Sequence, residues 1–378
     1  MNIGIDARFY GPLGKGLGRY TQKLIENLEK VSASDNRYFI FLRQENFDEY
    51  QPKNQNFQKV LADYRWYSFS EQLNMPRILN KCNLDLVHFP HFNVPLLYRK
   101  KFIITIHDLI LLHFPTTKNT TLNPIFYWLK FLAYKIVIQS AIRRSKKIIA
   151  VSNFTKNDIL KHYAVPPEKI TITYEATDAN GKNGALPQDK ILEKYGIIKP
   201  YIMYVGNAYP HKNLEALVLA YREIKNKNLQ LVLIGKEDYF YLRLKDLAKK
   251  TSAEGGPASD RSNVVFAGFV PDEELDFIYK NSLFYIFPSL YEGFGLPPLE
   301  AMAKGIPVAA SDILCLKEIL GENAFYFDAS RKENISKAIT EFSENKELRE
   351  KLARRGFELV KKYSWERMAR ETLEEYKK

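Results

Sequence analysis

The chain has 378 residues, of which 46% are hydrophobic, and this length and composition suit two domains that each bury a core. Its 56 lysines and arginines against 44 aspartates and glutamates give a formal net charge of +12, which would allow nucleic acid, an anionic membrane surface or anionic substrates as partners. The charges are scattered, and neither an aromatic-interleaved RNA motif nor a zinc-type spacing is present, so we expect no nucleic acid partner and no metal site.

The cysteine content and the apolar segments bear on the compartment. Cys82 and Cys315 do not make a disulfide framework, so a reducing cytosol is expected. The first residues predict a strand rather than a signal peptide, and no apolar run reaches membrane-spanning length. We therefore expect a cytoplasmic protein, with peripheral binding to the inner face of a membrane left open.

Strand-like and helix-like segments alternate through the first half of the chain. Strands are predicted at Asn2–Ala7, Arg37–Leu42, Asp85–Phe89, Phe102–His107, Lys147–Val151 and Lys169–Thr173. A glycine-rich loop at Gly14–Gly18, which includes Gly16, follows the first strand and precedes an amphipathic helix. The alternation predicts an α/β fold with a parallel sheet, in which ligands bind at the carboxyl ends of the strands.

Histidines stand at two of these strand ends. His107 closes one strand and is a candidate ligand contact because of that position, although a packed histidine is the commoner role. His88 and His91 close the preceding strand with a spacing that could suit a metal, but a third ligand is not apparent, so they are interpreted as cleft-lining or structural. Ser152 is predicted to cap the helix after a later strand, with substrate contact as a secondary role.

The segment 125–142 is a long apolar helix interrupted by two lysines, and Arg143, Arg144, Lys146 and Lys147 follow within a few residues. Two interpretations are open. It is either a helix that packs in the core of the first domain, which we favour, or an interfacial membrane helix. If the protein has a lipid-linked ligand, this segment and residues 115–123 are the places where it would bind.

A second strand–helix series follows a polar loop, so the domain boundary is placed near residues 175–198, between domains of residues 1–180 and 195–362. The first strand of this series, Tyr201–Val205, leads to Gly206, Asn207 and Lys212, and the lysine suits a phosphate partner near a helix start. The strands at 231–234 and 263–267 deliver Lys236 and Val270 to the same edge.

The stretch 284–304 carries the strongest signal. A buried strand at Phe284–Phe287 is followed by a glycine loop and by a helix that starts near Pro297 and Pro298. Such a junction attracts an anion, yet the carboxylates Glu292 and Glu300 bracket it. A ligand that carries hydroxyls on both sides of a diphosphate, such as a nucleotide sugar, would satisfy both features.

With its two glutamates eight positions apart, the element from Tyr291 to Ala303 resembles that of the family 4 retaining glycosyltransferases, which have the two-domain GT-B fold of Rossmann-like domains. The resemblance implies that Glu292 contacts the donor sugar and Glu300 the ribose hydroxyls. It also implies that amides of the loop lie near the sugar and the diphosphate, and the loop residues concerned are Gly293, Phe294, Gly295 and Leu296.

Weaker matches elsewhere support the same family. By resemblance the Gly16 loop faces the cleft, His107 lies by the donor sugar, Val270 borders the base pocket, and a last helix at 363–378 packs back on the first domain. One residue departs from the pattern. Many members have an arginine where this chain has Asn207, so the second phosphate-binding charge is in doubt, and Lys236 or His211 are the candidates to replace it.

The resemblance predicts a retaining, metal-independent hexosyltransferase with Glu292, His107 and Lys212 as catalytic residues. It also indicates a bacterial surface-polysaccharide subgroup, a GDP-mannose donor and a glycan or lipid-linked acceptor. Two alternatives stay open: a GT-B sugar-nucleotide epimerase, and a non-catalytic polysaccharide-assembly or membrane scaffold protein, which the basic charge and the 125–147 segment would suit.

Overall fold

The computed structural model describes residues 1–32, 35–115, 123–178, 188–226, 228–253 and 263–378. The chain separates into two compact units. The first comprises Met1–His113, Leu122–Glu175 and Ser364–Lys378, and the second comprises Phe114–Thr121 and Ala176–Tyr363. The division at Glu175 stands at the start of the predicted boundary region, most of whose polar loop (179–187) lies outside the described residues.

The first unit is built on a seven-stranded parallel sheet in the order β3-β2-β1-β4-β5-β6-β7. Its strands are β1 (Asn2–Asp6), β2 (Arg37–Leu42), β3 (Phe57–Leu61), β4 (Leu86–Phe89), β5 (Phe102–Ile106), β6 (Lys147–Ala150) and β7 (Ile170–Ile172). Helices cover the sheet because parallel strands such as β5 are buried along their whole length and need a layer on each face.

The helices of the first unit are α1 (Lys15–Val31), α2 (Phe69–Lys81), α3 (Ile110–His113), α4 (Pro124–Arg144), α5 (Asn153–His162) and α14 (Trp365–Lys377). The predicted glycine loop is wrong in one respect, because α1 already begins at Lys15 and takes Gly16 and Gly18 into its first turn. Gly18 must be glycine there, since a Cβ would lie 2.1 Å from the carbonyl oxygen of Gly11. Ser152 caps α5 as predicted, accepting the Thr155 N–H at 3.0 Å.

The second unit repeats the design with a six-stranded parallel sheet in the order β10-β9-β8-β11-β12-β13. Its strands are β8 (Tyr201–Val205), β9 (Gln230–Ile234), β10 (Val264–Gly268), β11 (Phe284–Phe287), β12 (Val308–Ser311) and β13 (Phe325–Phe327). Its helices are α6 (Gln188–Lys194), α7 (Leu214–Arg222), α8 (Tyr239–Ala253), α9 (Asp272–Lys280), α10 (Leu296–Ala303), α11 (Leu314–Leu320), α12 (Lys332–Glu344) and α13 (Lys346–Val360).

Three strands were not predicted, and each has a physical reason. The edge strand β3 has two adjacent polar residues, Gln58 and Lys59, which break both an apolar run and an alternating pattern. The strand β12 is rich in alanine, and β13 has only three residues. The strands that were predicted lie within one or two residues of their expected bounds, and β2, β8 and β11 match them in full.

The favoured interpretation of α4 as a core helix is wrong for its first half. Ile138, Ala141 and Ile142 are buried, but a row of large apolar side chains nearer the N-terminus is at least half exposed: Ile125, Phe126, Trp128, Leu129, Leu132 and Ile136. Within the described residues, Ile125–Arg144 is also long and apolar enough to cross a membrane, by length and composition alone, which corrects the expectation that no segment is.

Candidate active site

The strand ends of the second unit are aligned by backbone hydrogen bonds between their glycines. The Gly206 N–H donates to the Ile234 carbonyl at 3.0 Å, and the Gly235 N–H donates to the Gly268 carbonyl at 3.0 Å. Gly206 has a φ of +150°, and a Cβ there would lie 2.7 Å from the Tyr204 hydroxyl. The carboxyl ends of β8, β9 and β10 therefore form one edge, where ligands bind in sheets of this type.

The loop between β11 and α10 is fixed at this edge by three contacts. The Leu290 N–H donates to the His211 carbonyl at 2.8 Å, Ser311 Oγ donates to the Ser289 carbonyl, and Cys315 Sγ lies 3.5 Å from the Phe294 carbonyl. The turn into α10 needs Gly295, whose φ is +97°. The predicted anion-binding residues Gly293, Phe294, Gly295 and Leu296 all lie in this junction.

Lys212 and Glu292 form an ion pair at this junction. Lys212 Nζ lies 2.6 Å from Glu292 Oε1, and the two side chains are only 13% and 9% exposed. The ammonium also lies over the Phe287 ring, 5.3 Å from its centroid. Two predicted catalytic residues that are far apart in the sequence thus meet in a site with little water, where a charge acts more strongly than at an exposed surface.

Glu300 lies in α10, the helix that begins directly after the loop that carries Glu292. Burial, followed by the neighbouring Tyr279 and the charges of Glu300 and Glu292, holds the pKa of Tyr285 well above its usual range. The Tyr285 hydroxyl donates to the Val205 carbonyl at 3.1 Å, at the end of β8. Both carboxylates act on the same tyrosine, and the contact that the structure shows is the one between Lys212 and Glu292.

The residues that could replace the missing arginine at Asn207 are now distinguishable. Burial, together with the charge of Lys212, lowers the pKa of His211 to about 4, which disfavours this histidine as the source of the missing charge. Lys236 is exposed directly after β9 and remains the candidate. Asn207 itself accepts the Tyr209 N–H at 3.3 Å.

Val270 occupies the connection between β10 and α9. Its side chain is only 4% exposed, whereas that of the preceding Phe269 is 75% exposed. The base-pocket role that the resemblance implies for Val270 stays a prediction.

In the first unit, His107 follows β5 and is held at both ring nitrogens. Nδ1 lies 2.9 Å from Glu175 Oε1, and Nε2 lies 3.0 Å from the Pro90 carbonyl oxygen. Burial lowers the pKa of His107, but the hydrogen bond and charge of Glu175 outweigh it, so the pKa is raised above 6.5. Because a carboxylate and a carbonyl only accept hydrogen bonds, the ring is held as an imidazolium that donates to both.

Glu175 was not predicted as a site residue. It is 5% exposed and follows β7, more than sixty residues after His107. An acid three residues beyond a strand end was the one available signal, and nothing in the sequence linked it to His107. Gly16, the remaining predicted residue of this unit, lies in the first turn of α1 with no described atom within 4 Å of the position that a Cβ would occupy.

His88 has a structural role, as one of its two interpretations predicted. It is fully buried, and its ring lies 2.7 Å from the Tyr376 hydroxyl and 2.9 Å from Thr105 Oγ1, which ties α14 to the sheet. A cluster of possible metal ligands lies elsewhere in the described part of the first unit: His113, Asp158 and His162 place their ligand atoms within 4.8 Å of one another.

Two parallel-sheet units, each with polar residues at the carboxyl ends of its strands, are the architecture of the GT-B fold, as the sequence predicted. Two family models match successive parts of the chain: "Glycosyltransferase Family 4" over residues 14–180 and "Glycosyl transferases group 1" over residues 187–359. Together the two models show that the chain is a glycosyltransferase with a family 4 domain followed by a group 1 domain, and the expectation that it is an enzyme of this class is confirmed.

Individual proteins agree with this assignment. The chain is similar to O-antigen chain mannosyltransferase B of Escherichia coli, with 27% identity over 384 residues that cover 96% of each chain. Its fold is that of sucrose-phosphate synthase from Thermosynechococcus elongatus (TM-score 0.75, 18% identity, 100% and 98% of the two chains). The Anabaena protein HepE, solved with UDP-glucose, also shares the fold (TM-score 0.73, 15% identity, 99% of each chain).

Proposed function

We propose that the protein transfers a hexose, with retention, from a nucleotide-diphosphate donor to a hydroxyl of a glycan or lipid-linked acceptor, and that GDP-mannose is the first donor to test. The observation that carries the proposal is the buried Lys212–Glu292 pair at the strand ends of the second unit. The similarity to an O-antigen mannosyltransferase over nearly the full length of both chains favours mannose and a surface polysaccharide.

The residues suit the departure of a nucleoside diphosphate. Lys212 and the amides of the 293–296 loop stabilise the negative charge that develops on the leaving phosphate, and preorganised groups of this kind each contribute about 3–4 kcal/mol. Glu292 accepts hydrogen bonds from the sugar, and Glu300 accepts them from the ribose. The bond from the anomeric carbon to the phosphate oxygen breaks, the acceptor oxygen bonds the same face, and its proton passes to the departing phosphate.

The proposed transfer needs no metal ion. Lys212 supplies the positive charge beside the leaving group, and the chain contains no Asp-x-Asp pair to bind a metal at the diphosphate. Transfer should survive millimolar EDTA. If EDTA abolishes transfer and a divalent ion restores it, in the wild type and in a His162→Ala variant alike, the proposal is contradicted. If His162→Ala by itself causes the same loss of transfer as EDTA, the metal is located at the His113–Asp158–His162 cluster.

A panel of nucleotides and nucleotide sugars tests the function. A ligand at one hundred times its Kd stabilises the folded state by about 2.7 kcal/mol, so the correct donor should raise the melting temperature visibly. The same donor should then be consumed only with an acceptor, and linkage analysis of the product should show a retained anomeric configuration. Free epimerised sugar formed without acceptor would favour the epimerase instead. No shift and no turnover with any donor would contradict both enzymes.

For the location of the protein, we propose peripheral binding of α4 to the anionic inner surface of the cytoplasmic membrane. The exposed apolar row of α4 includes Trp128, a residue type that favours membrane interfaces, and exposed cations flank the row at Lys130, Lys135, Arg143 and Lys146. Apolar burial and attraction to anionic lipid then act together.

Co-sedimentation with vesicles tests this location. The protein should bind phosphatidylglycerol vesicles more strongly than phosphatidylcholine vesicles, and salt should weaken the binding. Leu129→Glu should abolish the binding, while Phe357→Glu, at an exposed apolar residue of the second unit, should not. Equal binding by both variants would rule out α4 as the contact.

A further inference from the structure

Five ring-bearing side chains of the first unit meet where three of its strands end. Phe9 follows β1, Trp66 and Tyr67 follow β3, and His91 and Phe92 follow β4. The rings of Phe9 and Trp66 stack with centroids 4.4 Å apart, and those of His91 and Phe92 lie 3.9 Å apart. Phe9 and His91 join the two pairs at 5.5 Å, and these five residues are called the aromatic platform below.

Tyr67 is the unusual member of the aromatic platform. Its side chain is 59% exposed, and its backbone has a φ of +62°, in the left-handed region that bulky residues avoid. Its hydroxyl lies 3.3 Å from His91 Nδ1. Backbone strain of this kind persists only where the surroundings enforce it, and it concentrates at ligand-binding sites.

A buried carboxylate enforces the conformation of Tyr67. Glu71 Oε2 accepts the Tyr67 N–H at 2.7 Å, while Oε1 accepts from Arg8 at 2.6 Å and from Asn93 at 2.7 Å. Glu71, Arg8 and Asn93 are each at most 3% exposed. This network connects the start of α2 to the segments after β1 and β4, so it fixes the loops that carry the platform relative to one another.

The adjacent Gln72 adds a further connection, because its side-chain oxygen accepts the Leu96 N–H at 2.8 Å in the loop after β4. The side chains of Glu71 and Gln72 thus both hold the loops that carry the platform. A merely apolar patch on a surface would not need such support, whereas a binding site gains affinity when its contacts are ordered in advance.

Polar groups border the rings. The Arg43 guanidinium lies over Trp66, 5.0 Å from the ring centroid. The Pro90 carbonyl, in the residue directly before His91, accepts a hydrogen bond from His107 Nε2 at 3.0 Å. The aromatic platform therefore adjoins His107, the candidate active-site residue of this unit.

We propose that the aromatic platform binds the terminal sugar of the acceptor glycan, the unit that carries the attacking hydroxyl. A pyranose ring has C–H faces that pack against aromatic rings and hydroxyls at its rim that need charged or polar partners. The platform offers aromatic faces, and the His91 ring nitrogens and the Arg43 guanidinium supply polar groups beside them. The inference rests on the proposed transferase function and assigns residues to its second substrate.

The test uses octyl glycosides of mannose, glucose, galactose and N-acetylglucosamine as acceptor probes with the donor found in the nucleotide-sugar panel. In saturation-transfer NMR, the sugar-ring protons of at least one probe should receive more saturation than its octyl chain. Tyr67→Gly removes the ring and also relieves the positive φ. It should raise the acceptor KM roughly five- to tenfold, as expected for one lost aromatic contact.

Three further readouts separate binding from structure. Tyr67→Gly should leave the donor KM and the donor hydrolysis rate unchanged, and its melting temperature should equal or exceed that of the wild type because strain is removed. Tyr67→Phe should keep the wild-type acceptor KM. Phe69→Ala, at a 91% exposed ring of the same segment, is the matched control and should change nothing.

An unchanged acceptor KM in Tyr67→Gly, or an equal rise in Phe69→Ala, would overturn the inference. A lower melting temperature together with a higher donor KM would also overturn it, because the role of Tyr67 would then be structural. Saturation confined to the octyl chain would mean that the surface binds lipid rather than sugar, and no saturation of any probe would count against the site as well. A wild type that shifts with no nucleotide and uses no donor would instead contradict the proposed function.

Discussion

The two units place polar residues at the same edge of similar sheets, but they hold them by different means. In the second unit the loop after β11 is fixed by backbone groups, glycines and short contacts to carbonyls, and most candidate residues fall within the stretch 284–300. In the first unit, side chains from distant segments hold one another, as in the contacts of His107 with Glu175 and of Glu71 with Arg8. A site that the backbone shapes leaves a local motif in the sequence, whereas a site that side chains assemble does not.

Removing the positive charge of Lys212, in the second unit, should have the largest effect on activity. Lys212→Ala should lower kcat by a factor of about 10² to 10³, because the leaving phosphate loses its preorganised cation. The variant should also unfold more easily, since Glu292 is left buried and unpaired, and breaking such a pair costs about 3–5 kcal/mol. Steady-state kinetics and thermal melting measure the two effects.

The double variant Lys212→Met/Glu292→Gln separates these effects. It should recover most of the lost stability while kcat stays low. If activity returned together with stability, the role of Lys212 would be structural. The second unit would then contain no charge that acts on the leaving group, and the proposed difference between the two units would be lost.

The His107–Glu175 pair of the first unit should determine how activity depends on pH. The raised pKa of His107 means that its imidazolium persists to higher pH than that of a free histidine, and it is lost as the pH rises through that raised value. Glu175→Gln removes the carboxylate and leaves burial dominant, so the pKa of His107 should fall. We expect the alkaline limb of kcat/KM to move down by roughly 1 to 3 pH units, the range of a lost opposite charge.

An NMR titration of the His107 ring in both proteins checks the assignment. Glu175→Ala should move the limb in the same direction, and Glu175→Asp should restore part of it. A pH profile that Glu175→Gln leaves in place would mean that His107 acts by shape alone.

The smallest effect is expected at the start of α1. Gly16→Ala should leave the melting temperature unchanged or raise it, because a Cβ meets no described atom within 4 Å and alanine is up to about 1 kcal/mol better than glycine in a helix. If a substrate approaches this backbone, kcat/KM should fall several-fold despite the gain in stability. Gly18→Ala is the contrasting variant and should destabilise the protein, since its Cβ would lie 2.1 Å from the Gly11 oxygen. Unchanged kinetics in Gly16→Ala would remove Gly16 from the site.

The difference between a site shaped by the backbone and a site assembled by side chains also explains which parts of the molecule could be predicted from the sequence. The junction 284–300 was predictable because strand, glycine turn and proline-led helix are adjacent in the chain, and β11 and α10 have the expected positions. Lys212 and Glu292 were expected to converge because both follow strands of one parallel sheet, but their direct ion pair was not predicted, since they are eighty positions apart in the sequence.

Other parts of the molecule could not be predicted because composition does not specify burial. The apolar residues of α4 fit a core helix and a surface helix equally well, and only the packing shows that Leu129 and Leu132 are exposed. The helical start of α1 was missed because glycine disfavours helices, while here the close approach of Gly18 to Gly11 decides the conformation.

The central claim is that Glu292, Glu300 and Lys212 act together on a nucleotide sugar, and comparing two glutamate variants tests it most directly. Donor Kd by calorimetry and kcat by product formation should be measured for Glu300→Ala and for Glu292→Ala. Glu300→Ala should weaken donor binding about tenfold or more, as expected for lost hydrogen bonds to a charged group, whereas Glu292→Ala should lower kcat more than it changes Kd. Normal donor binding and normal turnover in both variants would contradict the account.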